Sequence, residues 1–254
     1  MRRVVFNQKG GVGKSTITCN LAAIGAEQGK RTLVVDLDPQ GNSTQYLLGQ
    51  SGSGTAPTLV DFFDQVLNFK FNPRDSAEFA TATPFPGLDL MPSHPALEDL
   101  QGKLESRYKI YKLREALEQP GDRYDRIWID TPPALNFYTK SALIAADRCL
   151  IPFDCDDFSR RALYSLLENV QEIRQDHNHG LVIEGIIVNQ FQTRASLPRR
   201  IVEELMAEGL PVLIPYLSTS VKIRESHQYS RPVIHLDPKH KVTREYVELH
   251  DALG

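Results

Sequence analysis

The chain has 254 residues, 41% of them hydrophobic and 24% charged, with 29 Lys and Arg against 32 Asp and Glu for a net charge of −3. That is the composition of a soluble globular protein, and a chain this long buries roughly 70–75% of its unfolded surface, so no disulfide staples are required. No apolar run approaches the ~18 residues of a membrane span, and the net charge gives no strong polyanion signal. Met1-Arg2-Arg3 leads straight into an apolar run, leaving no room for a cleaved signal, and Cys19, Cys149 and Cys155 are irregularly spaced. Both points lead us to expect a reducing, cytoplasmic location with structural thiols.

Val4-Val5-Phe6 reads as a short buried strand, and Ile17 to Gln28 as an amphipathic helix. Between them stands Lys9-Gly10-Gly11-Val12-Gly13-Lys14-Ser15-Thr16. Strand, glycine-rich turn and helix are the context of a phosphate-binding loop. Glycines let successive N–H groups converge on an anion, and the helix N-terminus adds partial positive charge. On this reading Lys14 reaches the β- and γ-phosphates of a nucleotide, the Ser15 hydroxyl coordinates Mg²⁺, and Thr16 touches another phosphate. The strict pattern G-x-x-x-x-G-K-[ST] fails at its first glycine, which falls on Gln8, and a lysine, Lys9, stands beside it.

Strands and helices then alternate. Further strands are predicted from Arg31 or Thr32 toward Asp38, and at Leu88 to Met91, Arg126 to Ile129, Cys149 to Phe153, Val182 to Asn189 and Val212 to Ile214. Apolar runs without period-2 alternation imply burial on both faces, hence a mostly parallel twisted α/β sheet with helices on both faces, residues 1–254 forming one domain. Gln50 to Pro57 is a loop by composition, and Phe71 to Gly87 has room for a short edge hairpin. There is no internal repeat.

Ligands of such a sheet sit outside the carboxyl ends of its strands, and the acidic motifs fall there. Asp36-Leu37-Asp38-Pro39-Gln40-Gly41-Asn42 puts two carboxylates at i and i+2, on one side of the pleat if the strand continues; they can hold a metal's water shell or simply cap a turn. Arg126-Ile127-Trp128-Ile129-Asp130-Thr131-Pro132-Pro133 fits a Walker B element whose Asp130 holds Mg²⁺ directly or through water. Phe153-Asp154-Cys155-Asp156-Asp157-Phe158-Ser159 is an acidic patch before a helix expected near Arg160, where an N-cap is the ordinary role. His177 and His179 read as a helix C-terminus closed by Gly180.

Together the lysine-containing loop, the DLDPQGN string and Asp-x-Pro-Pro resemble the deviant Walker A ATPases of the ParA/MinD family, over nearly the whole chain and most weakly between Gly49 and Leu97. The resemblance implies that Asp38 positions or activates the hydrolytic water and that Asp36 supports the Mg²⁺ shell. It implies that Lys9 reaches across an ATP-sandwich homodimer to the other subunit's phosphates, in the manner of an arginine finger. Asn189 and Pro215, at later strand ends, match positions flanking adenine, although a turn role fits them as well. Asp156 and Asp157 match a dimer-facing segment.

From Phe191 onward nine Lys or Arg face eight Asp or Glu, so any nucleic-acid contact depends on how charge is distributed. Two segments, around Arg194 and Lys222, resemble the family's DNA-facing segments, with Arg199, Arg200, Arg224 and Arg231 as supporting charges. The implied activity is an ATPase, weak without partners, that binds nonspecific double-stranded DNA in its ATP state and positions a chromosome, plasmid or protein assembly. A ParB-like or cargo-adaptor protein would prompt hydrolysis and release, and the location would be the nucleoid. With no N-terminal helix-turn-helix ahead of the loop, the short chromosomal, Soj-like branch is the better match. The alternative is a MinD-like ATPase at a membrane or protein surface, which needs a basic amphipathic C-terminal helix; the segment from Glu245 onward has acids and no Lys or Arg. An amide ligase or iron–sulfur reductase of the same loop class would need a substrate site or cysteine pair beside the nucleotide.

Overall fold

The computed structural model describes residues 1–49, 56–68, 70–118, 123–155, 157–192 and 195–254, with side chains for all of these but 157–159. In chain order the strands are β1 (Arg2–Val5), β2 (Thr32–Asp36), β3 (Thr81–Ala82), β4 (Leu88–Met91), β5 (Arg126–Asp130), β6 (Arg148–Asp154), β7 (Val182–Asn189) and β8 (Val212–Leu213). They form one eight-stranded sheet in the order β3-β4-β2-β5-β1-β6-β7-β8. Every pairing is parallel except β3 with β4; of the edge hairpin expected within Phe71 to Gly87 only β3 lies in that segment, and its partner is the strand predicted at Leu88 to Met91.

Helices cover both faces, which is why these strands are apolar at successive positions rather than alternate ones. Val4, Leu33, Val35, Ile127, Ile129, Cys149, Ile151 and Phe153 belong to one buried cluster with α3 (Leu59–Leu67), α4 (Leu97–Ser106), α5 (Lys112–Glu118), α6 (Phe137–Ala145), α7 (Asp157–Asp176) and α8 (Ser196–Ala207). Val5, Val34, Trp128 and Leu150 point the other way. They pack with α1 (Lys14–Glu27), α2 (Asn42–Leu48), α10 (Val233–Leu236) and α11 (Lys241–Ala252). Helix α9 (Val221–Gln228) meets the first turn of α1, where His227 contacts Thr16.

Helix α1 starts at Lys14 rather than Ile17, and it is not amphipathic. Ile17 through Ala26 are all buried, because the sheet covers one side and α11, α10 and α2 cover the other. Strand β2 stops at Asp36, so the pleat does not carry Asp38; the chain instead turns the Asp38 N–H onto Asp36 Oδ1 at 3.2 Å. Helix α7 begins at Asp157, three residues before the expected start. Strand β8 ends at Leu213, leaving Ile214 exposed outside it. Gly185 permits the close β7–β8 approach, since a Cβ there would fall 2.3 Å from Leu213 Cγ.

The chain ends are tied into the sheet. Arg3 is 2% exposed, pairs with Glu184 at 2.8 Å, donates to Leu253 O at 2.5 Å and stacks over Trp128. Cys19 and Cys149 are buried and Cys155 partly so. Tyr111 meets His177 Nδ1 at 2.9 Å, and His179 Nδ1 contacts Arg174 O at 3.1 Å as α7 closes.

Candidate functional site

Register places the chemistry along one edge of the sheet. Val5 and Asp36 both align with Asp130, and Asp154 with Asn189, so the loop after β1 meets three acidic strand ends. Asn7, at the start of that loop, donates to Pro152 O at 2.7 Å and accepts the Lys9 N–H at 2.9 Å. Gly13 closes the loop at φ 89°, and its carbonyl accepts from Ile17 N at 2.8 Å as α1 begins.

Three more of the loop's carbonyls are held by side chains. Lys14 Nζ donates to Lys9 O at 3.2 Å, Gln190 Nε2 to Gly11 O at 3.1 Å and Asn189 Nδ2 to Val12 O at 2.9 Å. These four oxygens are therefore engaged on protein donors, while the first N–H groups of α1 have no intrahelical acceptor. The space beside Gly10 and Gly11 is clear, with nothing within 4 Å of an added Cβ. An anion-binding cradle results.

The acids form the other half. Asp130 is fully buried; its Oδ2 accepts the Ser43 hydroxyl at 2.7 Å, its Oδ1 accepts the Thr131 N–H at 3.1 Å, and the Ser15 hydroxyl also bonds to it. Burial pushes the Asp130 carboxyl up to about 6 against the pull of those hydroxyls. Asp36, equally buried, is raised well above the ordinary carboxylate value by desolvation and then by Asp130. Both Asp36 oxygens accept protein donors, Oδ1 from Asp38 N and Oδ2 from the Thr44 N–H and hydroxyl. Asp36 thus shapes the loop that carries Asp38. Lys14, 7% exposed, is pulled below its ordinary value by burial, opposed by Asp130 and Asp38.

These residues fit Mg²⁺ with a nucleoside triphosphate. Ser15, Asp130 and Asp38 are hard oxygen donors beside the cradle, and magnesium keeps waters and shares phosphates rather than needing an all-protein cage. Ser15 and Asp130 would hold the ion, which neutralises phosphate charge when bound. Gly10 to Thr16 would hold the phosphates.

Of the remaining candidates, Asn189 lies beneath the loop and Pro215 lies past β8, in a cis peptide with Ile214. A cavity of about 210 Å³ next to the loop is lined by Thr16, Asn189, Gln190, Ser218, Thr219 and Arg224 among others, and Pro215 is not part of its wall. Gln190, Ser218 and Thr219 escaped sequence reading because single polar residues in loops carry no periodic signal. Lys9 Nζ bonds to Asp154 Oδ2 at 2.7 Å, an acid taken only as part of a capping patch. Thr16 Oγ1 meets His227 Nε2 at 2.8 Å, and the His227 ring stacks on Tyr46. Neither contact has a sequence signature.

The basic candidates differ among themselves. Arg194 and Asp156 lie outside the described residues, as does the side chain of Asp157. Lys222 is paired with Glu225 at 2.8 Å and Asp237 at 3.8 Å, and Arg200 approaches Glu204 at 3.8 Å. Arg199 and Arg231 are exposed, and Arg224 is exposed at the cavity rim. Helix α11 buries Val242, Tyr246 and Leu249 against the α1 side of the core. No helix among the described residues is long and apolar enough to cross a membrane.

Residues 3–183 match the family model described as an AAA domain. The chromosome partitioning protein ParA of Myxococcus xanthus is 33% identical over 250 residues, covering 96% of this chain and 84% of the relative. The sporulation initiation inhibitor protein Soj of Bacillus subtilis is 32% identical over 250 residues, covering 96% and 94%. Among solved structures, cobyrinic acid a,c-diamide synthase from Mycobacterium smegmatis with bound ADP and magnesium superposes with a TM-score of 0.82 at 26% identity, covering 99% of this chain and 93% of that one. With its lysine-bearing loop, its strand-end acids and these relatives, the chain belongs to the ParA/MinD family of P-loop ATPases and, within it, to the ParA/Soj type.

Proposed function

We propose that residues 1–254 act as one ATPase unit that dimerises on ATP, binds nonspecific DNA in that state, and positions or segregates a cargo. Hydrolysis, weak alone and stimulated by a ParB-like or cargo-adaptor partner, would release it, and the protein would work in the cytoplasm on the nucleoid. The observation that carries the reading is the meeting of Lys9, Lys14, Asp38 and Asp130 at one sheet edge, which supplies a phosphate cradle, a metal-binding acid and an acceptor for the attacking water. In this scheme Lys9 exchanges its bond to Asp154 for the other subunit's phosphates. The name of the ParA relative supports the partition role.

The test is DNA retention by the purified protein with ATP and Mg²⁺, with ADP and with no nucleotide, across a salt series and beside Lys14→Ala. Retention that needs ATP, ignores sequence and fades with salt is expected. No retention in any state while ATP still binds would overturn the DNA role. Lys9→Ala should bind ATP but not dimerise; an ATP dimer that survives the change would remove the role assigned to Lys9. A MinD-like membrane role is less well supported, because α11 has its apolar face on the core. The Mycobacterium synthase raises an amide-forming reading, which ATP turnover in the absence of any acid or amine acceptor would exclude.

A further inference from the structure

Asp38 is held by its peptide group as well as its side chain. Its N–H donates to Asp36 Oδ1 at 3.2 Å, while its carbonyl accepts the Ser93 hydroxyl at 2.5 Å and the Gly41 N–H at 2.8 Å. The Ser93 N–H donates to Thr44 Oγ1 at 2.9 Å, and that hydroxyl donates to Asp36 Oδ2 at 2.7 Å. The bonds close into a ring from Asp38 to Asp36, Thr44, Ser93 and back. All four residues are buried, with Asp36 fully so. Asp36 ends β2 and Asp38 and Thr44 follow it, but Ser93 follows β4, a separate strand. The ring therefore pins the Asp38 loop to a second strand end.

The Asp38 side chain is braced on one oxygen, Oδ1, which accepts the Gln40 N–H at 3.0 Å. Where its carboxylate sits consequently depends on where its peptide sits. Gly41 alone could keep the turn closed without Ser93, since both donate to the same carbonyl. What Ser93 adds is a fixed distance between this turn and β4.

We infer that Ser93, acting through this ring with Thr44 as relay, is a positioning residue that sets the place of the Asp38 carboxylate for ATP hydrolysis. The inference rests on the role proposed above for Asp38. Loss of the Ser93 hydroxyl opens one link and leaves the Gly41 bond, so the loop keeps its fold but loses its exact seat. Because a misplacement of 1 Å in a catalytic group can slow a reaction about 100-fold, a partial shift is expected to slow it about 10-fold. Nucleotide affinity depends on the loop after β1 and stays unchanged.

Single-turnover ATP hydrolysis and binding of a fluorescent ATP analogue would be measured for Ser93→Ala and Ser93→Thr, each alone and with Asp38→Ala. Ser93→Ala should lower the hydrolysis rate about 10-fold at constant affinity. Ser93→Thr, which keeps the hydroxyl, should restore the rate, and Ser93→Ala should add nothing on top of Asp38→Ala. Thr44→Val against Thr44→Ser repeats the comparison at the other link, so a poorly folding Ser93 variant does not end the test. A wild-type rate in both Ser93→Ala and Thr44→Val overturns the inference, as does an equal loss of rate with and without Asp38. Wild-type hydrolysis by Asp38→Ala alone would strike the role of Asp38 itself, and that outcome is read separately from the Ser93 result.

Discussion

Gly13→Ala is a local test of the loop geometry. Gly13 has φ 89° and ψ 23°, where an L side chain costs about 1–2 kcal/mol. The new Cβ would also stand 2.4 Å from Asn189 Nδ2, closer than side chains approach one another, so the Asn189 amide must move. That movement breaks its 2.9 Å bond to Val12 O, a loss of about 1 kcal/mol. The two effects sum to about 2–3 kcal/mol, which in a chain of this size lowers Tm by roughly 5–10 °C. Thermal and urea unfolding of Gly13→Ala, Asn189→Ala and the double variant would separate the contributions. In the double variant the clash is gone and the bond is lost only once, so the combined loss should fall short of the sum by about 1 kcal/mol. A Tm within about 1 °C of wild type, or strict additivity, would refute the placement of Asn189 beneath Gly13.

Partial burial pushes the Asp147 carboxyl up, but the Arg2 guanidinium and N–H, at 2.8 and 2.7 Å, pull it below its ordinary value. A depressed folded-state value means stability that is present above the unfolded pKa and lost as pH falls through the folded one. Asp147→Asn should therefore lose up to about 1 kcal/mol at pH 7, limited by the 39% exposure of the carboxylate, and nothing at a pH below both values; urea titrations at the two pH values decide it. Arg3→Ala strips the partners from Glu184 and Leu253 O and should cost about 3–5 kcal/mol, while a urea-measured loss under about 1 kcal/mol would mean that water replaces the guanidinium. In salt-dependent DNA retention, Arg231→Ala should reduce the slope by about one, whereas Lys222→Ala, already faced by Glu225 and Asp237, should change it less; the reverse order would exclude Arg231 from the contact surface.

The legible parts of this protein are those in which one short stretch fixes both conformation and chemistry. Gly13, Lys14 and Ser15 announce a cradle because the turn, the charge and the helix start are consecutive, and the strands before Asp36 and Asp130 show themselves as unbroken apolar runs. Boundaries were less legible. Lys14 to Thr16 read as loop because their chemistry is polar, yet they form the first turn of α1, and the strand before Asp38 seemed longer because Leu37 is apolar although Asp38 folds back on Asp36. Contacts between distant segments left no trace at all. Lys9 with Asp154, Thr16 with His227 and Ser93 with Asp38 each join residues whose sequence neighbourhoods are ordinary. The charge of Lys222 likewise reads as free until α9 brings Glu225 to 2.8 Å and the fold brings Asp237 near.

The electrostatics explain why such contacts gather here. Lys14 faces Asp130 and Asp38, with Asp36 beside those two acids, all within the buried edge of the sheet. Desolvation drives the shifts in opposite directions, raising Asp36 and Asp130 and lowering Lys14, so these three are held where the charged form is disfavoured. Hydrogen bonds from Ser43, Thr44 and Thr131 offset part of that penalty for the acids. A divalent cation and a polyphosphate arriving together suit both halves of the arrangement, the cation against Asp130 and Ser15 and the anion against Lys14 and the loop. Each alone would satisfy only one half. The ring through Ser93 serves the same end from the protein side, since a carboxylate crowded by like charges keeps its place only if its backbone is fixed.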